Sequence, residues 1–413
     1  MSKTTTAPAS SVATTSEATQ KFLSLRQPVD ENMYPTSRVF RPGHCYRYPF
    51  VFVIPRALLP QSCTHDTHFS HVKQAHLKTP PTLNDAQLRK RGSSSVEDMA
   101  PGNCRISYAV RAVLSRELPG SHKKKVLGGC TKSLRVIPTA EKSLCSTPIT
   151  GANLPTRVEH DMKRGIARGT RGRMVVETSH PAPVLLRYPS ESKCASTTVQ
   201  VNLRFDPVHD SSPPQPKEIS TKLQASTFYS TVPWDNYASW NDQTLLDGRG
   251  REAFAETFKA SSFGIGTLEW AKHSCEANGL QTEHRQKEPL PCPSKSFAGG
   301  SYYTSFIALP ITLPENKTYL PTFHSCLISR TYSLRLRVSY CAPKTNLYTP
   351  GSTLEIPLSL LYTSEDHPMI LPCSEEELSA SDSHTTSCCC YQSQCPGPPE
   401  YSTLINNQQF SSI

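Results

Sequence analysis

The strongest pattern along the chain is strict alternation of apolar and polar positions. In TYSLRLRVSY, Tyr332, Leu334, Leu336, Val338 and Tyr340 fall on one side and Ser333, Arg335, Arg337 and Ser339 on the other. A half-buried antiparallel strand requires this period of two. TVQVNLRFDP repeats it, with Val199, Val201, Leu203 and Phe205 set against Gln200, Asn202 and Arg204, and RISYAVRAVLS does so through Ile106, Tyr108, Val110, Ala112 and Leu114. STKLQASTFYS, SYYTSFIALPITL and STLEIPLSLLY add candidates, so residues 196–364 are expected to hold about five or six strands. Upstream, Phe50 to Ile54 of YPFVFVIP form an apolar run closed by Pro55 and read as a buried strand. KSLRVIP and GRMVVE read as shorter strands. The only helix candidate is REAFAETFKA at 251–260, which reads equally as an irregular segment.

Segments of this kind pair most simply as facing sheets, so the expected fold class is all-β, built of β-sandwiches. Composition agrees, because 36 prolines argue against a helical bundle, whose interior needs the amide proton that proline lacks. A length of 413 residues suits two domains with tails. The Arg/Gly-rich and then Pro-rich stretch between the strand sets places a boundary near residue 190. The expected organisation is a polar, disordered tail at 1–20, a first domain at 21–190, a second at 191–372 and an acidic, disordered tail at 373–413. A long polar insert runs from His273 to Ser296.

Charge sharpens this division. The formal net charge is +10, yet no Lys or Arg follows Lys344, whereas Glu355, Glu365, Asp366, Glu375, Glu376, Glu377, Asp382 and Glu400 do. A basic body favours anionic partners such as phospholipid headgroups, nucleic acid or an acidic segment. No apolar run is long enough to span a bilayer, and the first twenty residues lack the apolar centre of an export signal, so the expected location is cytoplasmic. There the 15 cysteines are expected to be mostly free thiols.

FLSLRQPVDENMYP, YRYPFVFVIPRALLPQSCTH with HLKTPPTL after it, RISYAVRAVL, VNLRFDP and SYYTSFIALPITLPENKTYLPTFHSCLISRTYSLRLRVSY together resemble the fungal α-arrestins, the arrestin-related trafficking adaptors. The resemblance covers roughly residues 21–365 in the expected order. It implies two arrestin-like β-sandwich domains in tandem and a tail whose Pro-Pro-x-Tyr motif recruits a WW-domain HECT-type ubiquitin ligase. Such adaptors link the ligase to plasma-membrane transporters, which are then ubiquitinated and internalised, so peripheral recruitment to the plasma membrane or endosomes is implied as well. Only about forty residues precede YPFVFVIP, where the family has several strands, so the N-terminal sandwich is expected to lack its upstream strands.

The tail carries that motif as Pro398-Pro399-Glu400-Tyr401. Consecutive prolines favour the polyproline II backbone that an aromatic WW groove accepts, and Tyr401 would fill the adjoining slot. WW-domain contact is therefore assigned to Pro398, Pro399 and Tyr401. Cys388, Cys389 and Cys390 read first as free thiols and second as S-palmitoylation sites. Adjacent cysteines suit a tetrahedral ion poorly. Lys163, Arg164, Arg168, Arg171 and Arg173 read first as a solvated loop and second as a contact for an anionic membrane surface; the aromatic residues of an RNA-stacking tract are absent there. Cys63, His65, His68, His71 and His76 have ligand-like spacing, but they follow a strand candidate and are expected to be solvent-facing loop residues, with no metal and no cofactor. No nucleophile elbow, paired helical metal-binding histidines or phosphate loop is present, so a non-enzymatic adaptor is expected. The alternative is a nucleic-acid-associated regulatory protein using the basic body.

Overall fold

The alternation in TYSLRLRVSY becomes the central strand of a five-stranded antiparallel sheet. The computed structural model describes residues 2–6, 14–85, 98–117, 124–140, 156–163, 169–187, 195–246, 250–274, 291–315, 317–340 and 351–363. In chain order the strands are β1 (Ser2–Thr6), β2 (Thr14–Ala18), β3 (Tyr108–Glu117), β4 (Lys124–Leu134), β5 (Thr156–Lys163), β6 (Thr170–Thr178), β7 (Val184–Arg187) and β8 (Ser196–Pro207). They continue with β9 (Pro216–Ser230), β10 (Arg251–Gly264), β11 (Ala271–Ser274), β12 (Ser301–Thr312), β13 (Phe323–His324), β14 (Ile328–Tyr340), β15 (Gly351–Leu358) and β16 (Leu360–Thr363). One longer helix turn, α1 (Ser70–His76), lies upstream of the sheets.

The protein is an all-β sandwich. One sheet has the order β10-β9-β14-β13, with β15 also paired to β14; the other has the order β11-β12-β8-β6-β5. Their inner faces supply one apolar cluster. Val199, Val201, Leu203 and Phe205 of β8, Val176 of β6 and Leu309 of β12 meet Leu334, Leu336 and Val338 of β14 and Ile356 of β15. Antiparallel register aligns these positions, with Val176 opposite Leu203 and Leu334 between Leu223 and Ile356. β6 and β8 lie on either side of residue 190, where the sequence suggests a boundary, and their pairing crosses it within one sheet.

A second cluster continues the core through Val184 and Leu186 of β7, Leu360 and Tyr362 of β16, and Tyr319 and Tyr332. A third joins Cys63, Leu83, Ile106 and Tyr108 to Tyr229, Phe323, Cys326 and Ile328. The N-terminal segments thus pack against the end of the sheet at the β13–β14 turn. Where the sequence suggests a first sandwich, at 21–190, β5, β6 and β7 instead join sheets with later strands, and the other described residues hold the ribbon β3–β4, α1, short 3-10 turns and extended segments.

Two expectations are corrected. REAFAETFKA is not helical: it lies within β10, paired with β9 along its length, because the exposed edge of β9 offers backbone partners that outweigh the local helix propensity. Phe50 to Ile54 do not form a strand, and Phe50 and Val51 are 59% and 60% exposed; the Val51 amide bonds to the Gln27 side chain instead of a neighbouring strand. Within the stretch 1–20, the described residues 2–6 and 14–18 form β1 and β2, which pair from Ser2↔Ala18 to Thr6↔Thr14. Burial of Ala18 anchors the end of that ladder.

Candidate functional site

Four chemistry-bearing side chains converge where the N-terminal segments meet the β13–β14 turn: Cys63, His65, His76 and Cys326, whose ligand atoms all lie within 4.8 Å of one another. Local folding explains each position. A turn at Pro60–Ser62 is closed by the Cys63 amide on the Pro60 carbonyl, which points Cys63 inward. α1 then buries Val72, Ala75 and His76, the i, i+3 and i+4 positions that share a helix face. The base of this loop is pinned by the Ala57↔Lys78 bridge and the Leu58 amide on the Leu77 carbonyl. Cys326 sits in the β13–β14 turn, held by the Ser325 amide on Ile328 and by its own carbonyl, which accepts from the Trp234 amide.

The distances are short. Cys63 Sγ is 3.3 Å from His65 Nε2 and 3.8 Å from His76 Nδ1. His65 Nδ1 lies 3.0 Å from the Asp66 carbonyl, which can only accept, so Nδ1 carries the proton and Nε2 turns a lone pair towards Cys63. Cys63 is 1% exposed and His76 2%. Burial pushes the Cys63 thiol up, against the opposing influence of Cys326 and Lys73. Burial likewise raises Cys326 to about 12, with Cys63 adding to the effect. His76 falls to about 4, first through burial and then through its electrostatic coupling to the titrating His65. With no ion present, the thiols and the His76 imidazole are neutral at pH 7.

This corrects the solvent-facing reading of the histidines. His68 and His71 are exposed as expected, whereas His65 is half-buried and His76 is inside the protein. The sequence displays Cys63, His65 and His76 within one short stretch. It gives no sign of Cys326, which is brought beside them by the β13–β14 turn.

The other sequence-derived candidates are spread elsewhere. Lys163 ends β5 and is exposed, and Arg164 and Arg168 lie outside the described residues. Arg171 donates to Ser212 Oγ at 2.7 Å, and Arg173 pairs with Asp161 at 2.9 Å and Glu159 at 3.8 Å. Glu159 also pairs with Arg157; burial works against its ionised form, but the hydrogen bonds and charges of its partners hold its carboxyl below the ordinary range. Arg173 is therefore already engaged by carboxylates. Pro398, Pro399, Tyr401, Cys388, Cys389 and Cys390 lie outside the described residues. No described helix is long and apolar enough to cross a membrane. The chain matches no protein-family model and no curated protein.

Proposed function

We propose that this protein is a non-enzymatic adaptor of arrestin type, which binds a WW-domain HECT-type ubiquitin ligase through its tail and membrane transporters through its sandwich surfaces. The observation that carries the reading is Pro398-Pro399-Glu400-Tyr401 placed behind an all-β sandwich. The mechanism is induced proximity: a ligase held by the peptide acts at raised effective concentration on whatever the body binds. Because residues 345–413 hold no lysine, ubiquitin cannot be placed on that stretch beside the docking motif. It goes to the body or to the cargo, whose internalisation follows. Contact of the body with an anionic membrane would keep the adaptor near that cargo, and acylation at Cys388, Cys389 or Cys390 would strengthen it.

Binding of the full chain to an isolated WW domain tests the reading. Tyr401→Ala should weaken capture by about 30-fold or more, the loss for an anchoring aromatic residue worth ~2 kcal/mol. Equal capture of the variant would overturn the assignment. Salt-sensitive binding to RNA with no WW capture would favour the nucleic-acid alternative.

A further inference from the structure

We propose that Cys63, His65, His76 and Cys326 form a structural Zn²⁺ site that fastens the 58–77 loop to the β13–β14 turn. The inference is independent of the adaptor reading, since it concerns how the body is held together and not what the tail recruits.

The donor set has the right chemistry. Two thiolates and two imidazoles are a common tetrahedral set for Zn²⁺, and four protein ligands leave no position for a reacting water, so the site would be structural. Ligand bonds of about 2.3 Å to sulfur and about 2.0 Å to nitrogen give a tetrahedral S···N edge of about 3.5 Å. The two observed S···N separations, 3.3 and 3.8 Å, straddle that value. The four residues come from a turn, the loop after it, the end of α1 and a distant strand turn, so local helical or strand periodicity does not account for their meeting.

Charge and surroundings agree. The two thiolates neutralise the ion, so the burial penalty of an unpaired charge is avoided at a position where Cys63, His76 and Cys326 are all buried. The proton of His65 Nδ1 is already engaged by the Asp66 carbonyl, the outer-shell contact that orients a metal-binding imidazole. The reach of the cross-link is large: Cys326 Sγ approaches the carbonyl of Ser62, 264 positions away in the chain. An ion here would close a loop that neither the short helix α1 nor the isolated Ala57↔Lys78 bridge closes strongly by itself. Binding transfers two thiol protons to solvent, breaks the Zn–O bonds of the hydrated ion with release of its water, and forms two Zn–S and two Zn–N bonds; no oxidation occurs.

The test uses the full chain with Cys373, Cys388, Cys389, Cys390 and Cys395 replaced by Ser, so that the tail thiols add no signal. Zn²⁺ content after purification and dialysis should be one ion per chain, and Co²⁺ in its place should give the visible absorption of a tetrahedral ion together with thiolate-to-cobalt charge transfer. Cys63→Ser with Cys326→Ser should abolish both, whereas Cys130→Ser with Cys292→Ser, at two exposed thiols, should leave them intact. His65→Ala removes a half-buried ligand and should lower Zn²⁺ affinity by at least ~10-fold while the far-ultraviolet circular dichroism stays unchanged. Chelation of wild type should open residues 58–77 to hydrogen exchange. A parent protein that takes up Co²⁺ without the thiolate band would overturn the proposal, and that measurement decides the matter even where the double variant does not fold. Zn²⁺ content unchanged by the double variant, or a Cys63–Cys326 disulfide in the protein as isolated, would overturn it equally.

Discussion

Arg204 Nε donates to Asp206 Oδ1 at 2.8 Å inside the protein, with both side chains almost wholly buried. The two residues lie on the same face of β8, and together they hold the segment that leads into β12. The guanidinium lies 3.9 Å from the Tyr302 ring centroid and 4.8 Å from that of Phe297, and it donates to the Pro291 carbonyl. The second carboxylate oxygen accepts from the Ser294 amide at 2.9 Å. Asp206→Ala leaves a buried cation and a backbone amide without their partner, and should cost about 3–5 kcal/mol. Arg204→Met together with Asp206→Leu should recover much of that loss, because replacing both charges removes the desolvation penalty. Urea unfolding of the two variants measures the difference.

The alternation in β14 makes an equally direct prediction. Leu334 is fully buried between Leu223 and Ile356, whereas the next residue, Arg335, points outward and is half-exposed beside Glu355. Leu334→Ala should lower stability by about 2–5 kcal/mol through lost transfer energy and a cavity. Arg335→Ala should change it by less than about 1 kcal/mol, since its ion pair is screened by solvent. Equal losses from the two variants would show that the strand is not one-sided.

What the sequence makes visible follows from how local each signal is. β8 and β14 are legible because their own side chains alternate, and alternation is decided within a few residues. β10 is not, because Ala, Glu, Phe and Lys at 251–260 are acceptable helix formers and only the neighbouring edge of β9 makes them a strand. The apolar run Phe50 to Ile54 looks like a core strand, yet no described strand pairs with it. The metal-like cluster was half visible: Cys63, His65 and His76 share one stretch, but their burial and the fourth donor, Cys326, depend on the loop docking against the β13–β14 turn. Alternating side chains imply sandwich architecture, and such architecture does not specify which side chains meet at its edge.

Gly172 reports on the packing of the sheet containing β6. A Cβ built there would lie 2.6 Å from the Asp206 carbonyl oxygen and even closer to the Phe205 ring. The obstruction is backbone and a fully buried aromatic residue, neither of which can swing into solvent. Gly172→Ala should therefore destabilise by about 1–3 kcal/mol, as overpacking does, despite the higher strand and helix preference of alanine. A thermal midpoint equal to wild type would mean that β6 and β8 do not approach so closely in solution.

His160 gives the sandwich a defined acid sensitivity. Its imidazole projects from β5, with Nδ1 3.1 Å from Ser352 Oγ of β15 and its ring 5.7 Å from that of Tyr340 on β14. Burial lowers its pKa from the usual 6.5, an effect only partly opposed by Asp161, the neighbouring charge on its own strand. The unfolded chain therefore takes up the His160 proton at a higher pH than the folded one. Stability from this group is complete above about pH 6.5 and is lost as pH falls from there towards the lower folded value. The thermal midpoint should drop between pH 7 and pH 5. His160→Asn, which keeps a polar atom near Ser352 but has no proton to gain, should shallow that drop while lowering stability at pH 7 through lost packing. If the variant and wild type fall in parallel across this range, His160 does not contribute to the acid sensitivity, and the imidazole must be more open to water than its position between β14 and β15 indicates.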